Sequence, residues 1–343
     1  MRRPKRSDGI VSVELAGMNS EAPYSRLSPE TVLDAIEALE FRCDGRVLAL
    51  NSYENRVYQI GVEDGPPVVA KFYRPGRWSD AAIREEHAFS GELAAQEIPV
   101  VAPLLRSGES LHMHQGFRYA VFPRRGGRWP ELGSRDEREW VGRFLGRIHG
   151  VGRTASFRER QALSMDELGV KARDFVLQGE WMPDYLATKY ADLTDELLDA
   201  VADRAGHWGG ARVGRILGDC HRGNILWTDL GPHFVDLDDC LTGPAIQDLW
   251  MLLSGGRENM RTELNDILQG YEQFLPFDRR EIALIEPLRA LRMIHYSAWL
   301  ARRWHDPAFP QAFPWFAEPR YWEQHYRSLD EQLAAVLEPP LEL

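Results

Sequence analysis

The stretch Leu217–Asp239, LGDCHRGNILWTDLGPHFVDLDD, sets Asp219, Asn224, Asp236, Asp238 and Asp239 around two short apolar runs, Ile225-Leu226-Trp227 and Phe234-Val235. Such runs, bounded by Gly231-Pro232, predict two short strands joined by a turn. Carboxylate and amide oxygens at the mouth of a strand pair suit a hard cation such as Mg²⁺. The order Asp219-x-x-x-x-Asn224, a strand, then Asp236 is that of a phosphoryl-transfer loop followed by its metal ligand. In that chemistry Asp219 orients an acceptor hydroxyl, while Asn224 and Asp236 give oxygens to a cation bridging the phosphates. Positioning and charge stabilisation suffice, with no covalent intermediate.

The phosphate side must come from elsewhere in the chain. There is no G-x-x-x-x-G-K-[ST] for a P-loop and no G-x-G-x-x-G between the first predicted strands. In its place stands Asn51-Ser52-Tyr53-Glu54-Asn55-Arg56, whose Asn and Ser residues tolerate tight turns and offer donors to phosphate, Ser52 among them. One strand later Lys71 sits mid-strand. Lysine prefers solvated edges, so a central one needs an anionic partner. The next helix presents Glu86 on its inward face, with Glu85 a quarter-turn away as second choice. A strand lysine paired with a helix glutamate positions nucleotide phosphates in kinases; an ordinary solvated Glu-Glu pair is the plain alternative.

Period and caps predict the elements that carry these residues. Ser28-Pro29 opens a helix with Val32, Ile36 and Leu39 as its apolar stripe. From Val47 the period falls to two. Val47–Leu50, Arg56–Val62 and Val68–Tyr73 are predicted strands, with Val69, Lys71 and Tyr73 on one face of the third. A helix over about 81–96 and strands at Ser110–Met113 and Phe117–Phe122 follow, and the basic, Gly-rich Pro123–Gly127 is the predicted lobe boundary. Ser134-x-x-Glu137 reads as a capping box, and Thr194 as a second N-cap with a Leu193–Leu198 staple. Helices are predicted at Ile246–Leu253, Arg261–Phe274 and Glu281–Trp304, the last kinked at Pro287. The chain is therefore expected to be α+β, with a small β-rich N-lobe at 27–122 and a larger helical C-lobe at 123–343. Residues 1–26 lack periodicity and are read as a disordered extension or a misplaced start. The aromatic tail, including Trp299, Trp304, Phe313, Trp315, Phe316 and Trp322, predicts a packed outer layer rather than a stacking platform.

Composition narrows the classes. The 343 residues are enough for two cores, and a net charge of −11 argues against nucleic acid as main partner. The three cysteines, Cys43, Cys220 and Cys240, form no C-x-x-C pair and suit a reduced compartment. Cys220 beside His221 is read as loop packing, not a nucleophile. No apolar run approaches the roughly 20 residues of a membrane span, and a cytoplasmic monomer is expected.

The stretches LNSYENRVYQ, VVAKFYRPGRW, EEHAF, QGFRYAVFP, GDCHRGNILW, FVDLDD and GPAIQDLWMLL, with DPAFPQAFPWF near the end, run in order over roughly 27–341. Together they resemble the bacterial stress response kinase A family, serine/threonine protein kinases of the aminoglycoside phosphotransferase-like, bilobal protein-kinase-like fold. The resemblance implies ATP as donor with Mg²⁺, Asp219 as proton acceptor, Asn224 and Asp236 as metal ligands, and Ser52 and Lys71 on the nucleotide. It also implies that Asp248 is a buried helix aspartate bracing the catalytic loop and that His221 is scaffold. The family usually has His-Gly-Asp where this chain has Leu217-Gly218-Asp219, a change that keeps packing and forfeits a hydrogen bond worth about 1 kcal/mol.

The same loop serves a protein hydroxyl or a small-molecule alcohol of the aminoglycoside, choline or homoserine kind. Leu217 raises a second alternative, a nucleotide-binding scaffold with weak activity. A metal hydrolase leaves Lys71 and Glu86 unexplained.

Overall fold

The computed structural model describes residues 22–205 and 212–343. Most of the expected extension at 1–26 lies outside the described residues. Its final part is built into the fold: a turn closed by Ser25 N–H on the Ala22 carbonyl carries Tyr24 into the sheet core, where its hydroxyl donates to the carbonyls of Glu54 and Phe72.

Helix α1 (Pro29–Glu37) begins where Ser28 Oγ accepts the Thr31 N–H, with Pro29 at a position that needs no donor. It lays Val32, Ala35 and Ile36 on one face of an antiparallel sheet. The strands are β1 (Cys43–Ala49), β2 (Arg56–Val62), β3 (Val68–Phe72), β4 (His112–His114) and β5 (Phe117–Pro123), in the order β1-β2-β3-β5-β4. Helix α2 (Asp80–Ala95), capped by Ser79, covers the other face. Lys71 stands opposite Val57 on β2 and Ala120 on β5, in the middle of the sheet. Val68, Ala70 and Phe72 pack towards α1, whereas Tyr73 packs with Ile83 and Ala120. Burying a side chain of this size contributes about 1.5–3 kcal/mol, so burial on both faces fixes the register; a slip of one residue would drive Lys71 into the apolar α1 side.

Beyond Pro123 the chain is mainly helical. Helix α3 (Arg135–Gly152) opens with the expected capping box of Ser134 and Glu137 and lies along α7 (Arg257–Tyr271). Gly142 and Gly146 face the main chain of Ile267 and Tyr271, and Gly270 faces that of Glu139, so a Cβ at any of the three would collide with backbone. Helices α4 (Lys171–Gln178), α5 (Asp184–Ala205), α8 (Ile285–Arg303) and α10 (Pro319–Leu337) enclose a second apolar core that contains Tyr190, Ile294 and Trp322. The short α9 (Ala308–Ala312) precedes α10. Two strand pairs sit between α5 and α7: β6 (Val213–Ile216) with β9 (Leu241–Pro244), and β7 (Ile225–Thr228) with β8 (Gly231–Phe234), followed by α6 (Ile246–Trp250).

Three local expectations are corrected. Thr194 is no N-cap: α5 runs through it, and its buried hydroxyl donates to the carbonyls of Tyr190 and Ala191. Leu193 and Leu198 are core residues of one helix, and packing of its long apolar face outweighs the local cap preference. Pro287 makes no kink, because it lies in the first turn of α8, where an N–H has no intrahelical partner to lose. The hairpin turns at Asp229-Leu230; Gly231-Pro232 opens β8, and Val235 lies past its end. The tail aromatics Trp299, Trp304, Phe313 and Phe316 pack with the second core, whereas Trp315 stays partly exposed. No helix among the described residues is long and apolar enough to cross a membrane.

Candidate active site

Strand β3 delivers Lys71 among three carboxylates. Its Nζ lies 2.8 Å from Asp236 Oδ1, 3.1 Å from Asp238 Oδ1 and 3.7 Å from Glu86 Oε1. Burial alone would depress the ammonium pKa, but Asp236, Asp238 and Glu86 together hold it well above the ordinary lysine value. Glu86, buried on α2, also meets Arg160 Nη2 at 3.4 Å. Burial pushes its carboxyl up to about 7 against the pull of Lys71. Glu85 turns away and accepts the backbone N–H groups of Arg158, Glu159 and Arg160. Asp238 further receives Arg77 and Asn55 Nδ2, and Arg77 extends to Asp239. Three cations, Lys71, Arg77 and Arg160, thus meet four carboxylates, Glu86, Asp236, Asp238 and Asp239.

The Asn51–Asn55 loop closes over this cluster. Asn55 is buried and spans it, donating to Asp238 Oδ2 at 3.1 Å and accepting the Arg74 N–H at 3.1 Å. Ser52 Oγ donates to the Asn55 carbonyl at 3.0 Å, which ties the turn to itself. Ser52 lies in the turn just before β2, one strand ahead of Lys71.

On the opposite side, Asp219 follows Gly218, whose φ of +81° and proximity to the Asp239 carbonyl leave no room for a side chain. Asp248 on α6 fixes this backbone: its Oδ2 and Oδ1 accept the N–H groups of Leu217 and Gly218, both at 2.7 Å. His149 on α3 completes the brace, with Nε2 2.9 Å from Asp248 Oδ2 and Nδ1 3.0 Å from the Tyr271 hydroxyl. Leu217 itself is buried in the helical core, so leucine preserves the packing while its backbone makes the bond. The Asp219 carboxylate faces Arg292 Nη1 at 2.7 Å and His221 Nε2 at 3.5 Å. Burial would raise its pKa; the His221 hydrogen bond and the Arg292 charge outweigh that and hold it well below the usual carboxylate range.

The hairpin joins the two sides. The Val235 N–H donates to the Asn224 carbonyl at 3.0 Å, so Asn224 and Asp236 lie at the same end of the β7–β8 ladder. Asn224 Nδ2 donates to the Asp219 carbonyl at 3.0 Å, which spends the amide nitrogen and leaves Oδ1 as an acceptor. Asp236 stands in the left-handed region, φ +57° and ψ +72°, with its side chain half exposed. Such a backbone costs about 1 kcal/mol or more and is typical of functional positions. An amide oxygen, an exposed carboxylate and an excess of carboxylates over neighbouring cations fit a divalent metal: Asn224 and Asp236 could hold one, with hard oxygen donors of the kind Mg²⁺ takes.

The structure brings Lys71, Glu86 and Asp236 into one cluster, ties Ser52 to it only through Asn55, and links Asp219 to it through Asn224. Sequence reasoning missed Asn55, Arg77, Arg160 and Arg292, and left Asp238 unassigned although it is nearer to Lys71 than Glu86 is. The acidic run Asp236–Asp239 was the available signal for Asp238. Arg160 arrives from the irregular segment after α3 and Arg292 from α8, and neither leaves a local trace. Cys220 and Cys240 are buried, and burial raises both thiols far from reactivity.

The chain and its fold are matched by known proteins. Residues 46–285 match the phosphotransferase enzyme family, and the chain belongs to that family. It is 47% identical over 326 residues to Stress response kinase A of Escherichia coli strain K12, covering 95% of this chain and 98% of that protein. It is also 47% identical over 327 residues to the serine/threonine protein kinase RdoA of Salmonella typhimurium, covering 95% and 99%. Among solved structures, amicoumacin kinase hAmiN in complex with AMP-PNP, Ca²⁺ and Ami superposes with a TM-score of 0.69 at 20% identity, covering 91% of this chain and 94% of that one. A microcompartment-associated aminopropanol kinase gives 0.66 at 18%, covering 89% and 98%. The α+β fold expected from the sequence is thus that of these kinases, and the protein is a phosphotransferase.

Proposed function

We propose that the protein transfers the γ-phosphate of Mg-ATP to a serine or threonine hydroxyl of a protein. The observation that carries this reading is the meeting of Lys71 with Asp236, with Asn224 at the same hairpin end contacting the Asp219 backbone. Lys71 neutralises the α/β-phosphate side, Glu86 and Asp238 keep it charged, and Ser52 with its loop covers the phosphates. Asp219 accepts the proton of the acceptor hydroxyl as that oxygen bonds to the γ-phosphorus and ADP leaves. Asn224 and Asp236 would hold the cation, which would supply charge neutralisation to the phosphates when bound. The low basicity of Asp219 suits orientation of the hydroxyl more than early proton abstraction. A protein acceptor is favoured by the names of the relatives, Stress response kinase A and serine/threonine protein kinase RdoA. The name Stress response kinase A also supports a role in a stress response.

A second reading keeps the site and changes the acceptor to a small alcohol, because the solved structures of this fold are named for amicoumacin and aminopropanol. Both are tested by incubating the protein with labelled ATP, Mg²⁺ and either acidic and basic test proteins or a panel of small alcohols. Labelled protein with the wild type, and a fall of about 10²–10⁴-fold in Asp219→Asn with ATP binding retained, is the expected result. Label confined to small alcohols replaces the first reading by the second, and no transfer despite intact ATP binding overturns both.

A further inference from the structure

A groove of about 560 Å³ opens beside Asp219, between α8, α10 and the end of α6. Its walls include Trp250, Tyr296, Trp315 and Tyr321, and its charged groups are Arg289 and Arg292; no Asp or Glu lines it. Tyr296 and Trp315 are more than a third exposed, unusual for large aromatics and common at recognition surfaces. On a chain of net charge −11, a groove without a single carboxylate is a local reversal of sign. The two arginines differ in freedom. Arg289 is committed to Glu286, 3.1 Å away on the same helix, and lies over the Trp250 ring. Arg292 is exposed and directs Nη1 to Asp219 Oδ1 at 2.7 Å, which uses one of its five N–H donors.

That contact has a cost for transfer. The acceptor hydroxyl must hydrogen-bond the Asp219 carboxylate, and Arg292 occupies one of its oxygens. An anionic group in the groove offers Arg292 a bidentate partner and draws the guanidinium off Asp219. We propose that Arg292 is a positioning and specificity residue that selects serine or threonine acceptors flanked by acidic residues, exchanging Asp219 for the acceptor's carboxylate as the peptide docks. The inference rests on the protein-kinase reading above and adds the class of sequence that site takes. The transfer step is unchanged: the acceptor O–H proton passes to Asp219, the new O–P bond forms at the γ-phosphorus, and the bond to the β–γ bridging oxygen breaks to release ADP.

The test uses the full chain with ATP, Mg²⁺ and synthetic peptides carrying one central Ser or Thr flanked by Glu, Ala or Arg. For the wild type the Glu-flanked set should show a KM at least about tenfold below the Ala-flanked set, the size of one charge-assisted contact of about 1.4 kcal/mol. Arg292→Ala should erase that ratio, Arg292→Lys should restore part of it, and Arg292→Glu should invert it towards Arg-flanked peptides. The change should fall on KM more than on kcat, with ATP protection against thermal unfolding retained in all three variants. Phosphorylation without preference for Glu, or a preference that survives Arg292→Ala, overturns the inference and leaves the kinase reading standing. Absence of transfer to every peptide sinks both, and transfer only to a small hydroxy acid such as glycerate overturns the peptide acceptor.

Discussion

Arg74 and Asp306, 232 positions apart in the chain, form a buried ion pair with Nη2 2.7 Å from Oδ2. Asp306 also takes Arg56 Nη2 at 3.1 Å. Beside them Glu54 receives Trp299 Nε1 at 2.7 Å and pairs with Arg303. The loop that carries Ser52 is therefore anchored at its far end by the C-terminal part of α8 and the segment after it, as well as by its own sheet.

Asp306→Ala should remove this anchor and leave the buried Arg74 guanidinium with Glu54 as its remaining carboxylate, 3.1 Å from Nε. Breaking a buried pair from one side costs about 3–5 kcal/mol. Urea unfolding should show a loss of that order, and calorimetric titration should show weaker ATP binding because the Asn51–Asn55 loop loses its support. Unchanged stability in both this variant and Arg74→Ala would remove the anchor from the account.

Lys71→Met should be more damaging than its single charge suggests. It leaves Asp236, Asp238 and Glu86 facing one another with only Arg77 and Arg160 nearby. A destabilisation of about 3–5 kcal/mol is expected, together with loss of nucleotide affinity. Adding Glu86→Gln should recover part of the stability and none of the affinity. A double variant as unstable as the two single losses combined would contradict the coupling.

Leu217→His should not raise the phosphoryl-transfer rate. The bonds that position Asp219 come from the Leu217 and Gly218 N–H groups to Asp248, and His149 already supplies an imidazole at that carboxylate. An imidazole in place of a buried leucine should instead cost about 1–3 kcal/mol of stability. A rate gain of tenfold or more would revive the scaffold reading of the natural chain.

His87 sets an acid limit. Its ring is buried between the Tyr73 hydroxyl at 2.7 Å and Ser110 Oγ at 2.8 Å, and burial, reinforced by the charge of Lys71, lowers its pKa from 6.5 to about 3. The unfolded chain therefore protonates first as pH falls, so the stability present above pH 6.5 is lost on descent towards pH 3. Between pH 7 and pH 5 the loss from this group is about 2 kcal/mol, and His87→Gln should flatten it in urea unfolding. Glu86 acts in the opposite sense. Its carboxyl is raised from 4.5 to about 7, so its contribution is present below pH 4.5 and fades as pH rises through 7; Glu86→Gln should protect at pH 8.

Legibility in the sequence followed the range of the interaction. Ser28 and the Ser134–Glu137 box act within four residues, and the period-two pattern of β2 and β3 gave the face on which Lys71 stands. Asn224 and Asp236 flank one hairpin and Asp219 lies in the loop just before it, so spacing alone grouped them. Thr194 misled because cap chemistry was weighed without the core that α5 covers, and Pro287 because the true helix start was unknown. The pairs Arg292–Asp219, Arg160–Glu86 and Arg74–Asp306 join segments more than 70 residues apart, and nothing in a local pattern ties such partners together.

The glycine contacts between α3 and α7 extend the site in an unexpected direction. Their backbone approach sets the distance between His149 on one helix and Tyr271 on the other, and that hydrogen-bonded pair aims Asp248 at the loop of Asp219. A methyl group added at Gly146 or Gly270 would push the helices apart and travel through those links to the reacting oxygen. Positions that never see a substrate are thereby placed under the same selection as those that do, and a screen for inactive variants should recover them beside Asp219.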